Sequence, residues 1–209
     1  MKKVILAAAG ALLATASFAQ VSVDPEVGMN FSNLRTKLGD ADATTNDARV
    51  GLKAGVGFNI NLNKGFYLKP GVYYTQMGDT KEVLNVESTN TLHYLQIPVN
   101  LGYQYQFNGG KAGAVFAEAG PYIGYALGGQ TKIESSLGEV KTDYNFGTEV
   151  NETNPLDWGF NFGLGYETPW NVYIKGQYGL GLGNLSNVDD VKVNNRAWGV
   201  SVGYKINLN

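Results

Sequence analysis

Few residues of this chain have the type and spacing that catalysis requires. His93 is the only histidine among 209 residues, and there is no cysteine. A histidine base needs a nucleophile within hydrogen-bond reach and a group that orients its ring. Ser88 is the nearest serine in sequence, but no motif joins the two, so the protein reads as a non-enzyme. Without cysteine neither a disulfide framework nor a thiolate metal site can form. Between Gly128 and Pro155 the acids Glu134, Glu139, Asp143, Glu149 and Glu152 stand among Lys132 and Lys141. Such carboxylates could hold calcium, yet no calcium-loop spacing is present. The segment reads as an acidic solvated loop whose Ser136–Asn145 stretch extends a hairpin, and no cofactor or metal is expected.

A second set of charges is more telling because of where it sits. Lys53, Lys69, Glu118, Asp157, Glu167, Lys175 and Lys205 each stand in a segment whose alternate residues are apolar. Their own face is otherwise mostly Gly, Asn and Gln. Acids and lysines nearly balance, which suits an internal network of ion pairs and hydrogen bonds.

The elements that must position these charges are strands. From Tyr94 to Phe107, Leu95, Ile97, Val99, Leu101, Tyr103, Tyr105 and Phe107 alternate with Gln96, Asn100, Gly102, Gln104 and Gln106. Successive strand residues point to opposite faces, so one face is greasy and the other wet, with Tyr94 and Pro98 as exceptions on the wet one. The same period recurs in eight segments: 23–31, 50–62, 66–78, 92–107, 113–127, 156–167, 171–183 and 195–208. Connections alternate between short Asn/Gly/Pro turns and long polar loops. In an up-and-down meander this places every short turn and both termini at one end.

Alternation alone fits either a soluble barrel or one that faces lipid. Small polar residues suit the crowded interior of an eight-stranded barrel, and bulky aromatics near strand ends suit interface girdles. Of the charges inside these eight segments, only Arg196 has outward parity, at the loop end of the last strand, where its stem can reach headgroups. The expectation is an all-β, eight-stranded antiparallel up-and-down transmembrane barrel with its greasy face outward. Proline removes a ladder donor, and a short turn after Phe107 sets Pro98 almost opposite Pro121. A bulge or weak seam is expected there, between the fourth and fifth strands.

The N-terminus supplies the address. Lys2 and Lys3 precede an apolar run from Val4 to Ala14, and Ser17-Phe18-Ala19 offers small residues before a cleavage at Gln20. Residues 1–19 therefore read as a signal peptide and 20–209 as the barrel domain. Cleavage removes two lysines and no acid, moving the formal charge from −2 to −4. No basic run points to nucleic acid.

The chain resembles the PorT-type small outer-membrane β-barrels abundant in Bacteroidota. The matching residues are Ser17 to Gln20, Tyr94-Leu95-Gln96-Ile97-Pro98-Val99, the Gly-rich Trp158 to Glu167, and Gly203-Tyr204-Lys205-Ile206. Ser201, Gly203, Ile206 and Leu208 also resemble the closing signal read by the outer-membrane assembly machinery, although Asn209 replaces the terminal aromatic. The resemblance implies an outer-membrane location and says little of activity, since the name-giving member assists a secretion system. The expected partners are outer-membrane lipid, the assembly machinery during insertion, and secretion or surface proteins. Short turns and both termini are expected in the periplasm and long loops outside the cell. The role expected is structural, surface-interacting or secretion-accessory without an open pore; the alternative is narrow or laterally gated transport of small molecules.

Overall fold

The computed structural model describes residues 21–208 apart from 40, 85, 137 and 151. Among the described residues eight antiparallel strands close into a ring. They are β1 (Val21–Leu38), β2 (Asp47–Asn63), β3 (Phe66–Val83), β4 (Val86–Gln106), β5 (Ala114–Ser135), β6 (Leu156–Glu167), β7 (Val172–Gly181) and β8 (Val191–Tyr204, continued past Lys205 by Ile206–Leu208). Each pairs with its sequence neighbours, and β1 closes on β8 from Glu26 opposite Gly203 to Leu38 opposite Val191. The expected signal peptide lies outside the described residues.

Alternation orders both faces. Leu101 is 54% exposed and Trp198 65%, whereas Tyr94 is fully buried. Large apolar side chains face out and polar ones face in, the reverse of a soluble barrel. Turn chemistry fixes the short connections. Lys64 and Gly65 both take positive φ (50° and 88°), as a two-residue hairpin turn that matches strand twist requires.

The long connections differ from expectation. Asp79 to Thr91, read as a loop, is instead a paired ladder, from Gly78 opposite Thr91 to Val83 opposite Val86. β5 runs on past Leu127, and its Gln130–Ser135 segment pairs with a further strand, Gly138–Asp143, within the stretch expected to extend a hairpin. Strand pairing needs only backbone hydrogen bonds and tolerant side chains. Apolar alternation reports the lipid-facing portion and stops where that portion ends.

An arginine placed outward at mid-height tests this orientation. Leu101→Arg is expected to lower folding stability in lipid vesicles by about 2–4 kcal/mol, measured by denaturant titration. An inward-facing Leu101 would show no such penalty specific to lipid.

Candidate functional site

The interior is a stack of layers rather than a channel. At the short-turn mouth, Gln104 Nε2 donates to Glu167 Oε2 at 3.0 Å, and Lys205 pairs with the same carboxylate. These line an open polar vestibule of about 250 Å³ with Ser22, Asn59 and Asn61. Above it Lys69 pairs with Asp24 at 2.9 Å, and the Phe116 and Tyr173 rings meet edge to face at 5.8 Å.

The central layer holds the strongest charge cluster. Lys175 Nζ lies 2.8 Å from Glu26 Oε2 and 2.9 Å from Glu118 Oε1, while Lys53 Nζ lies 3.1 Å from Glu26 Oε1. Tyr173 donates its hydroxyl to Glu26 at 3.0 Å and Tyr67 donates to Glu118 at 3.3 Å. The Glu26 side chain is wholly inaccessible. Carboxylates so placed would not stay ionised without these cations and donors.

Toward the long-loop end the chemistry changes. Asp157 Oδ2 accepts from Tyr122 at 3.1 Å and from Asn195 at 2.9 Å, and forms no ion pair with a described residue. Beyond it Met77, Leu92, Tyr94, Ala126, Leu185 and Ala197 form an apolar plug, backed by Leu34, Tyr144, Phe146 and Val193. Leu185 comes from the connection between β7 and β8, so a loop folds into the barrel mouth. Voids between the polar layers measure about 10 Å³ each, room for a single water.

The structure thus gathers Lys53, Glu118 and Lys175 in the centre, with Lys69 in the adjoining layer toward the short turns. It puts Glu167 and Lys205 at the short-turn mouth and Asp157 in a separate layer. Sequence reasoning left Asp24 and Glu26 out of the network. Their signal was available, since both share the parity of Asn30 and Ser32 on β1, but Pro25 blurred the start of that strand's alternation. The apolar plug had no comparable signal, because it combines wet-face positions with a distant loop.

His93 faces outward, where its Nδ1 shares a 2.6 Å hydrogen bond with the Tyr74 hydroxyl. Ser88 lies well up the hairpin, opposite Lys81 and Ile133, so no Ser–His pair forms.

Of the two forms expected at the proline seam, a bulge or a weak seam, the register shows no bulge there. Pro98 lies opposite Tyr122, and the next register pair is Leu101 with Ala119, so the ladder is interrupted without a shift. On the other side of β4 a similar gap separates Pro70–Val99 from Tyr73–Gln96. The register shift between β4 and β5 falls at His93/Tyr94 instead. Proline costs donors but need not insert a residue, whereas the shift leaves Leu127 as the extra residue on β5, so that Ala126 joins Leu92 and Tyr94 in the plug.

Above the barrel, β3, β4, β5 and Gly138–Asp143 form a four-stranded flap. Lys132 bridges Glu134 and Glu139 at 3.0 Å each, and Lys141 reaches Glu139 at 2.7 Å. Hydrogen bonds from Lys141 and then Lys132 hold the Glu139 carboxyl below its ordinary range. Ile133 and Val140 pair across the other face and stay exposed, and Leu84 at the β3–β4 tip is 92% exposed.

A family model described as "Outer membrane protein beta-barrel domain" matches residues 18–187. No curated protein matches the chain. Solved structures similar to it include Ail, the attachment invasion locus protein of Yersinia pestis, at 17% identity and TM-score 0.36, covering 90% of this chain and 99% of that one. Neisserial surface protein A (NspA) matches at 13% identity and TM-score 0.44, covering 90% and 97%. The N-terminal β-barrel domain of Pseudomonas aeruginosa OprF matches at 12% and 0.35, covering 87% and 97%.

Two measurements probe the interior. Glu26→Gln leaves Lys53 and Lys175 short of a buried counter-charge, and stability is expected to fall by about 3–5 kcal/mol. Glu167→Gln, at the wetter mouth, is expected to cost well under half as much in the same titration. In hydrogen exchange, the amides of Ile97, Val99, Asn100, Ala119 and Gly120, which flank the two prolines, are expected to exchange faster than those in the middle of β6. Equal protection would show that the gap has no energetic consequence.

Proposed function

The chain belongs to the outer membrane protein beta-barrel domain family, and from that membership we propose that it is a closed, non-enzymatic platform. On this reading the barrel anchors a surface-exposed flap in the outer membrane and passes no solute. The filled interior carries the proposal: a charged central layer, a buried Asp157 layer and an apolar plug lie in series. The likeness to PorT-type barrels at Tyr94–Val99 supports a finer reading, in which the flap contacts a secretion or surface protein. The flap suits such a role, since its outer strand Gly138–Asp143 has one edge that pairs with no other strand among the described residues, and a partner strand can add there. Long loops are read as extracellular, with short turns and termini in the periplasm.

Transport is the second reading, and the 250 Å³ vestibule and the interrupted β4 ladder favour it. Planar-bilayer recording separates the two. The purified protein is expected to show no large, steady conductance, before or after Leu185→Ser loosens the plug, because the central ion pairs still fill the barrel. A steady unitary current from the unsubstituted chain would establish transport instead.

A further inference from the structure

One patch of the outer wall combines a cation column with an apolar groove, and neither belongs to the interior or the flap. On β1 and β8 the inward residues toward the long loops are Leu34, Val193 and Asn195; the first two pack on the plug and the third on Asp157. The residues between them therefore point outward. They place Asn33 beside Arg196, Arg35 beside Asn194 and Lys37 beside Lys192, in direct cross-strand register. Like charges directly opposite each other destabilise a strand pair, so Lys37 and Lys192 call for an anion. None of Arg35, Lys37, Lys192 and Arg196 pairs with a carboxylate among the described residues. Arg196 spends Nη1 on the carbonyls of Gly181 and Asn195, leaving Nη2 and Nε to another acceptor.

Directly below this column the apolar wall is hollowed. β7 points Gly176 outward where its neighbours carry large side chains, and the result is a groove of about 620 Å³. Gly176 forms its floor, and Phe162, Leu164, Tyr178, Trp198 and Val200 form its walls. Trp198 packs on Tyr178 with ring centroids 4.6 Å apart. It lies two residues from Arg196 along β8, or about 7 Å at strand rise. Cations, aromatic pair and groove follow one another down the wall, in the order of a phosphate, an interface and an acyl chain.

We propose that this β1–β7–β8 wall binds one lipid with an anionic phosphate headgroup, its phosphate on Arg35, Lys37, Lys192 and Arg196 and an acyl chain in the Gly176 groove. The charge complementarity and the continuity of groove with cations select that occupant. A second copy of this chain would bring the same positive column against itself. The inference rests on the membrane placement proposed above, with the long-loop end at a headgroup layer.

Trp198 reports on the site directly. With Trp158→Phe and Trp170→Phe it becomes the sole tryptophan of the chain. The protein is reconstituted in phosphatidylcholine vesicles containing either brominated phosphatidylcholine or brominated phosphatidic acid at equal mole fraction. Brominated phosphatidic acid is expected to quench Trp198 with at least about five-fold higher relative affinity, the contribution of a single cation near the surface. Raised salt should shrink that preference in the same protein, and Arg35→Gln, Lys37→Gln, Lys192→Gln and Arg196→Gln together should abolish it. Equal quenching by the two lipids, or a preference that survives the four substitutions, overturns the site. No quenching by either lipid overturns the membrane placement instead.

Discussion

Closure of β1 onto β8 is the constraint from which the rest of the molecule follows. A strand surrounded by hydrocarbon has no water for its N–H and C=O groups, so every edge must find a partner. Closing the sheet with only eight strands satisfies that demand and leaves an interior just wide enough for side chains. The inner wall shows the consequence. A Cβ on Gly102 would lie 2.1 Å from the Tyr67 ring, and one on Gly203 would lie 2.2 Å from the Tyr173 ring. Glycine on one strand makes room for a tyrosine on its neighbour, and the tyrosine hydroxyls then supply donors to the central carboxylates.

A narrow interior also dictates the charge arrangement. Removing Glu26 and Glu118 from water costs several kcal/mol per ion, which only close cations and additional donors offset. Lys175 lies between the two carboxylates, Lys53 completes Glu26, and Tyr67 and Tyr173 donate to them. Such clusters add little net stability over a well-packed apolar core, but they hold strands in one arrangement because a slipped register strands a charge. Hence the polar layers and the apolar plug divide the interior by height, with Asp157 held by neutral donors at the boundary.

The outer surface divides by height as well. The middle is an apolar belt, and above it β3, β4 and β5 continue as a mostly polar flap with Ile133 and Val140 exposed on one face. The barrel fold itself is compatible with many roles, so function has to be read from local chemistry. Two places stand out: the flap with its outer strand, and the cation column above the Gly176 groove. The first suits a protein and the second a lipid.

Period-two alternation by itself determined that there are eight strands and which face each residue takes in their lipid-facing portions, but not the ladders that continue beyond them. The greasy face of Tyr94 to Phe107 followed from residue types alone, as did the inward parity of Lys53, Glu118 and Lys175. That part was legible because a side chain's polarity reports its local environment, one residue at a time. The tertiary structure decided which inward charges meet: Glu26 and Lys175 are 149 residues apart, and their pairing depends on how distant strands register around the ring. It also decided that Leu92, Tyr94 and Leu185 make a plug, that Pro98 and Pro121 leave a gap rather than a bulge, and that Lys37 faces Lys192. Each of these depends on the relative position of segments far apart in the chain, which no local pattern encodes.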